Sequence, residues 1–132
     1  MEIEGDVIRK DQQRDVALVK IPLSKLKTLA LKFNYSEIGS KVYAIGAPTN
    51  ADLQGSISSG IVSTYRKDEK TDQTMLQSDT IVNGGNSGGP LVNEFGEVVA
   101  ITVSKIRDAE GISFFIPIDS AIEKLSINLP EK

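Results

Sequence analysis

The chain has 132 residues, a net charge of −3 at pH 7, 39% hydrophobic and 5% aromatic residues, and neither cysteine nor histidine. This length fits one domain or a large part of a bigger one, and its core must be mostly aliphatic. The weak, evenly spread charge excludes the basic stripe of a nucleic-acid-binding protein, and the lack of cysteine excludes disulfides and thiolate metal sites.

Short β-type segments separated by turn residues make up the first half of the chain. "DVIRK" is followed by the polar turn "DQQR" and by "DVALVKI" (15–21), which Pro22 ends. "SKLKTLALKF" has a spacing that fits either a helical turn or an extended connector. "KVYAIGAP" is typical of a strand that ends at Pro48, and "GSISSGIVSTYR" of two short strands or one bent strand.

The second half continues with "TMLQSDTIV", a glycine-rich loop, "LVNEFGEVVAITVSKI" and "GISFFIPI". "NEFGE" separates two apolar runs and predicts a hairpin turn. "IDSAIEKLSINL" predicts a helix with Asp119 or Ser120 as N-cap and Pro130 after its end. No apolar run reaches membrane-spanning length. Many short strands with one terminal helix predict an all-β barrel or sandwich.

The glycine-rich loop "IVNGGNSGGPLVN" places Ser87 between two pairs of glycines. A phosphate-binding P-loop needs a lysine and a hydroxyl residue after its last glycine, where this chain has Pro90 and Leu91. A nucleophile elbow needs a helix after the serine, where this chain has glycine, proline and a β-type run. Both interpretations are excluded.

Two interpretations of the loop stay open from glycine content alone. An acyl-transfer loop presents a hydroxyl at a bend with backbone N–H groups aimed at developing negative charge, and residues 85–87 supply consecutive donors. A glycine-rich hairpin with a bystander serine has the same composition.

Five segments, in the same order along the chain, resemble motifs of the chymotrypsin-fold serine proteases of the HtrA/Deg type. "GNSGGPLVN" resembles the active-serine motif of that family, and "DVALVKI" resembles its aspartate motif. "YSEIGSKVYAIGAP", "GSISSGIVS" and "GISFFIPID" resemble segments that build the second barrel and the wall of the substrate pocket. The resemblance extends over nearly the full chain.

The resemblance implies an all-β fold: a chymotrypsin-like six-stranded Greek-key β-barrel, a leftover strand pair of the family's first barrel, and a C-terminal helix. The implied segments are 1–33 for the strand pair and connector, 34–118 for the barrel with the serine loop, and 119–132 for the helix and tail. The histidine-bearing part of the first barrel would be absent from this chain.

The resemblance also implies roles for individual residues. Ser87 would be the nucleophile, and Asp15 would orient the histidine and stabilise its imidazolium. The backbone N–H groups of Gly85 and Ser87, with Asn86, would form the oxyanion hole. Asp79 matches a recurring residue of the family, and we interpret it as structural.

The implied substrate pocket is lined by Thr80, Ile81, Ile112, Ser113 and Phe115. Without an acidic residue at its base, the pocket predicts a small or medium aliphatic P1 side chain. The family often has proline where Gly84 stands, and small residues where Ser113 and Phe115 stand. The loop is therefore expected to be more mobile, and Phe115 either to narrow the pocket or to shift its preference.

The absence of histidine removes the family's general base, and a serine hydroxyl is a poor nucleophile without one. A lysine such as Lys105 could act in principle, but nothing in the sequence places it beside Ser87. We expect a serine endopeptidase that needs no cofactor and cleaves unfolded or exposed protein segments, with this chain alone inactive. A peptide-binding pseudoprotease and a non-catalytic β-barrel interaction module stay open.

The strand pair at the start of the chain would have open edges without the missing N-terminal barrel. We expect it to pair with another copy, by strand exchange or dimerisation, or to be mobile. The expected partners are that barrel, a second copy and a protein or peptide substrate. The sequence does not identify the compartment.

Overall fold

The computed structural model describes residues 2–46, 56–82, 85–103 and 111–129. Within these ranges the chain forms eight strands and one helix. They are β1 (Asp6–Asp11), β2 (Val16–Lys20), β3 (Lys41–Gly46), β4 (Ser56–Asp68), β5 (Gln73–Ser78), β6 (Pro90–Val92), β7 (Val98–Thr102), β8 (Ser113–Pro117) and α1 (Ile118–Lys124). No helix in the described ranges is long and apolar enough to cross a bilayer.

Six strands form a closed barrel in the order β3-β4-β5-β8-β7-β6, with β6 pairing antiparallel to β3 to complete it. β8 lies between β5 and β7, so the chain crosses the barrel after β5 and returns in Greek-key fashion. β1 and β2 form a separate two-stranded sheet. The predicted fold class, a six-stranded barrel with a strand pair and a terminal helix, is confirmed.

The barrel interior is filled by aliphatic side chains and one aromatic ring. In β3, Val42 and Ala44 are fully buried while Lys41 is exposed, as expected for a strand with one face inward. The cluster comprises Val42, Ala44, Val62, Leu76, Leu91, Val99, Ala100 and Phe115. Burial of this apolar surface is the main stabilising contribution to the barrel.

A second apolar cluster lies where α1 packs on the outside of the barrel. It comprises Val16, Val92, Val98, Val103, Ile116, Ile118, Ala121 and Leu125. Because Val16 belongs to β2 and the helix residues to α1, this cluster joins the two-stranded sheet to the barrel.

The predicted cap of the helix was wrong. The N-cap is Pro117, which makes no side-chain cap hydrogen bond, because β8 passes directly into the helix. Asp119 lies in the first turn instead, and its carboxylate accepts the backbone N–H of Asn34 at 2.9 Å. The helix ends at Lys124, before the predicted Pro130, which lies outside the described residues.

The segments that the sequence left ambiguous are now defined. "SKLKTLALKF" is an extended connector, because Lys32 donates its N–H to the Val98 carbonyl at 2.9 Å and Val98 donates to the Ala30 carbonyl at 2.8 Å. The described part of "GSISSGIVSTYR" is one long strand, β4, with an irregularity between Val62 and Thr64.

The predicted "NEFGE" hairpin is confirmed between β6 and β7. The Asn93 carboxamide oxygen accepts the backbone N–H groups of Phe95 and Glu97, each at 3.0 Å. Gly96 has a φ of 76°, the left-handed conformation that closes the turn. Phe95 at the tip is 86% exposed.

The β1–β2 sheet touches the rest of the molecule through two arginines as well as through the shared apolar cluster. Arg9 on β1 donates to the carbonyls of Leu125 and Ser126 after α1, and Arg14 on the β1–β2 turn reaches β5. Val7 and Val19 are 60% and 52% exposed. The segment boundaries after residues 33 and 118 stay a prediction.

Candidate active site

Ser87 lies at the corner of a tight turn that precedes β6. The N–H of Gly89 donates to the carbonyl of Asn86 at 2.9 Å, which makes Ser87 and Gly88 the two central residues. Gly88 has a φ of 84°, as the third residue of a type II turn requires. The turn therefore needs glycine directly after the serine, and it leaves the serine itself exposed.

The serine turn is held against the barrel by hydrogen bonds to β7 and by packing against β3. The N–H of Gly88 donates to the Thr102 carbonyl at 2.7 Å, and the N–H of Thr102 donates to the Gly89 carbonyl at 2.9 Å. These bonds extend the β6–β7 ladder into the turn. Asn86 is only 5% exposed and packs against Gly46 at the end of β3. The serine turn is anchored, although its serine is solvent-accessible.

The backbone N–H groups of the turn divide into two sets. Those of Gly88 and Gly89 donate to carbonyls of the chain, whereas those of Gly85, Asn86 and Ser87 donate to no described residue. The hydroxyl of Ser87 also has no partner among the described residues. Three consecutive donors next to an accessible hydroxyl can stabilise a developing oxyanion. Their assignment as the oxyanion hole stays a prediction.

A buried polar network supports the chain just before the serine loop. The Ser78 hydroxyl lies 2.6 Å from the Ile61 carbonyl and 2.7 Å from the Thr80 hydroxyl. The Asp79 carboxylate accepts the Ile61 N–H at 2.8 Å. Asp79 therefore ties the segment to β4, which supports its interpretation as a structural residue.

The predicted pocket residues differ widely in exposure. Ile81 is 73% exposed, and Ile112 and Ser113 are half-buried, whereas Thr80 and Phe115 have no exposed surface. Phe115 packs inside the barrel with the core residues. The accessible part of the predicted pocket wall is therefore Ile81, Ile112 and Ser113. The pocket assignment itself stays a prediction.

Asp15 ends the turn between β1 and β2. Its N–H donates to the Asp11 carbonyl at 2.9 Å, its φ is 65°, and its side chain is exposed. Among the described residues no hydrogen bond joins Asp15 to Ser87, and Asp15 lines a cavity to which no serine-loop residue contributes. A catalytic arrangement of the two residues stays a prediction.

Arg14, directly before Asp15, is a residue that the sequence did not single out. It is 2% exposed, and its guanidinium donates to the Thr74 carbonyl and, at 3.1 Å, to the Gln73 carboxamide oxygen. Burial lowers the pKa of Arg14 from its ordinary value. Arginine is rarely buried in proteins, so no sequence pattern predicts this contact. It attaches the turn that carries Asp15 to β5.

Two further residues were considered from the sequence, Gly84 for the mobility of the loop and Lys105 as a possible base. Both lie outside the described residues. Within the described ranges, no group of three or more acidic side chains is arranged to hold a metal ion. The geometry that remains is an accessible serine on an anchored turn, with backbone donors that have no acceptor in the described part of the chain.

Comparison with known protein families identifies the class of protein to which this chain belongs. The family model for the trypsin-like peptidase domain matches residues 2–101. This match covers most of the chain and includes both the Asp15 turn and the serine loop. The chain therefore belongs to the trypsin-like peptidase family.

Curated relatives define the type within that family. Putative protease Do-like 14 of Arabidopsis thaliana is 41% identical over 128 residues, covering 89% of this chain and 29% of the relative. Serine protease HTRA1 of Xenopus laevis is 40% identical over 124 residues, covering 88% and 26%. Serine protease HTRA3 of Mus musculus is 43% identical over 124 residues, with the same coverage. The chain is of the HtrA type.

A solved structure agrees with the sequence relatives. The HtrA-type protease AlgW with decapeptide superimposes with a TM-score of 0.83 and 28% identity, covering 96% of this chain and 40% of AlgW. The chain thus spans 26–29% of the length of the curated relatives above.

Proposed function

We propose that this chain is the serine-bearing part of an endopeptidase that cleaves unfolded or exposed protein segments through an acyl-enzyme at Ser87. One observation carries the proposal: Ser87 is exposed on an anchored turn beside backbone N–H groups that donate to no described residue. A turn whose only role was to connect two strands would not need this combination.

The proposed reaction begins with attack of the Ser87 hydroxyl oxygen on a peptide carbonyl, while a general base takes the proton. The negative charge that develops on the carbonyl oxygen is stabilised by the N–H groups of Gly85 and Ser87. Removal of one such donor typically slows acyl transfer about 100- to 1,000-fold. The amine leaves with the proton from the base, and water then hydrolyses the acyl-enzyme.

The general base is not contained in this sequence. The chain has no histidine, and a serine without a base attacks a peptide bond far too slowly for catalysis. We propose that polypeptide outside the 132 residues supplies a histidine, which Asp15 orients through a hydrogen bond to its imidazole. The chain alone is then inactive, and no cofactor takes part.

Substrate binding is proposed beside the serine loop. Ile81, the most exposed of the predicted pocket residues, presents an apolar surface without an acidic group. Such a surface favours a small or medium aliphatic P1 side chain over lysine or arginine. The similar protein AlgW was solved with a decapeptide, and we propose a peptide ligand for this chain as well.

A peptide-binding pseudoprotease is the second candidate, and the absence of histidine favours it. In that case the serine loop and pocket would bind extended peptides without hydrolysis. The two candidates share the same pocket and differ only in whether a base reaches Ser87.

The test is hydrolysis of an unfolded protein, such as reduced casein, by the longest polypeptide encoded in the same reading frame. The endopeptidase proposal predicts cleavage that Ser87→Ala abolishes and Asp15→Asn lowers by about 10⁴-fold in kcat. Asp79→Asn, which keeps the carboxamide oxygen as acceptor, is the matched control and retains activity. Peptide binding without hydrolysis would support the pseudoprotease instead.

A further inference from the structure

Asp15 lies between two buried residues that attach its turn to the rest of the molecule. Arg14 is 2% exposed and Val16 is 8% exposed, whereas Asp15 itself is exposed. Val16 packs in the apolar cluster that also contains residues of α1. Asp15 has a φ of 65°, a backbone conformation that few residues with a side chain adopt. The position of Asp15 therefore depends on its two neighbours.

The guanidinium of Arg14 reaches the first three residues of β5. One terminal nitrogen donates to the Gln73 carboxamide oxygen at 3.1 Å and lies 3.4 Å from the Met75 sulfur. The other terminal nitrogen donates to the Thr74 carbonyl. Because β5 pairs with both β4 and β8, these acceptors belong to a strand held inside the barrel. Arg14 is thus a direct connection between the β1–β2 turn and the barrel.

The backbone of Arg14 is connected to Asp15 through Asp11. The Arg14 N–H donates to the Asp11 carboxylate at 2.8 Å, and the Asp15 N–H donates to the Asp11 carbonyl at 2.9 Å. Asp11 therefore accepts a hydrogen bond from each of the two residues and closes the turn. A displacement of Arg14 would move Asp15 through the peptide bond and through these two hydrogen bonds.

Stability alone does not explain a buried arginine at this position. Burial removes the hydration of the guanidinium, and this cost offsets much of what its hydrogen bonds contribute. No carboxylate among the described residues forms an ion pair with it. An apolar side chain could attach the turn equally well. What the guanidinium adds is direction, because its planar donors accept only a narrow range of orientations.

We propose that Arg14 is a positioning residue, which sets the position of Asp15 relative to the barrel that carries Ser87. β5, to which Arg14 is attached, leads through residues 79–81 into the serine loop. The inference rests on the proposed endopeptidase function, in which Asp15 orients a histidine from outside these 132 residues. Arg14 acts through Asp15 and takes no part in the chemistry itself.

The test introduces Arg14→Met into the longest polypeptide encoded in the same reading frame. Methionine keeps an unbranched stem and removes every donor of the guanidinium. We expect kcat for an internally quenched peptide with an aliphatic P1 residue to fall about 100-fold, the effect of misplacing a catalytic group by about 1 Å. KM should stay unchanged, because Arg14 does not belong to the predicted pocket. Arg9→Met, which detaches the same sheet from the Leu125 and Ser126 carbonyls, is the matched control and should keep kcat.

A double-mutant cycle with Asp15→Asn separates positioning from a general loss of folded protein. If Arg14 acts through Asp15, Arg14→Met should cause no further loss of kcat once Asp15→Asn is present. A purely structural role would lower kcat by the same factor in both backgrounds, and that result would overturn the proposal. An unchanged kcat in Arg14→Met, or an equal loss in Arg9→Met, would also overturn it.

A second measurement requires no catalytic activity and uses the 132-residue chain. By NMR, the Asp15 amide should exchange with solvent faster in Arg14→Met than in the wild type, because its turn is released from β5. The Thr102 amide, which donates to the Gly89 carbonyl in the barrel, is the internal control and should not change. If the long polypeptide shows no Ser87-dependent hydrolysis, the endopeptidase function fails and this exchange decides about Arg14. Unchanged exchange at Asp15, or equal acceleration at both amides, would contradict the positioning role.

Discussion

Gly46 and Asn86 lie so close together that a Cβ at position 46 would be 2.6 Å from the Cγ of Asn86. Gly46 ends β3, and Asn86 directly precedes Ser87. Because Gly46 has no side chain, the serine turn can lie against the barrel at the end of β3. The position of Ser87 depends on a strand that is distant from it in sequence.

Gly46→Ala should therefore displace Asn86 and loosen the serine turn. Overpacking of this kind costs about 1–3 kcal/mol in the free energy of unfolding, which urea denaturation measures. Asn86→Ala removes the carboxamide that the new methyl group meets, so the double variant should recover part of the loss. Strictly additive effects of the two substitutions would contradict a direct contact between them.

Asp79 should contribute to stability rather than to chemistry. Asp79→Ala removes the acceptor of the Ile61 N–H and should lower the free energy of unfolding by about 1 kcal/mol. Asp79→Asn keeps an acceptor oxygen at the same place and should lose less than half as much. Equal losses in the two variants, measured by urea denaturation, would show that this hydrogen bond is not the source of the effect.

Stability should fall at alkaline pH through Tyr65. Burial raises the pKa of Tyr65 above its ordinary value of 10.0, while its hydroxyl donates to the Ser36 carbonyl at 3.0 Å. The unfolded chain releases this proton at the lower pKa. Ionisation therefore favours unfolding, and the stability present below pH 10 is lost as the pH rises through the folded pKa.

The matched variant for this pH dependence is Tyr65→Phe, which keeps the ring that stacks on Tyr35 and removes the titrating group. The difference in urea midpoint between pH 8 and pH 11 should be smaller in the variant than in the wild type, since the two proteins differ only in this hydroxyl. Identical pH dependence would mean that Tyr65 does not contribute.

The β1–β2 sheet should be the site of self-association or of fast amide exchange. β1 pairs only with β2 in the described part of the chain, and Val7 and Val19 are exposed on this sheet. Light scattering should detect a dimer that Val7→Lys disrupts, or hydrogen exchange should be fast in residues 2–21. A compact monomer with protected amides in that segment would contradict the prediction.

The architecture was predictable from the sequence because motif order and strand punctuation agree along the chain. Asn93 and Gly96, for example, define their hairpin through local turn chemistry alone. The helix cap was not predictable in this way. Asp119 resembles an N-cap residue in sequence, but tertiary contact with the Asn34 N–H determines its partner instead.

The candidate site was predictable only in part. Ser87 and its glycines have a recognisable pattern, since a type II turn needs glycine after its second residue. The buried Arg14 could not be predicted, because its environment comes from β5 and the β4–β5 hairpin, far away in sequence. The close approach of Gly46 to Asn86 is equally non-local and has no sequence pattern.

The most direct measurement of the central claim is covalent labelling of Ser87 by a fluorophosphonate. We predict no labelling of the 132-residue chain above that of its Ser87→Ala variant, because the chain contains no histidine to act as base. The longest polypeptide from the same reading frame should be labelled at Ser87. Robust Ser87-dependent labelling of the 132-residue chain would contradict this account.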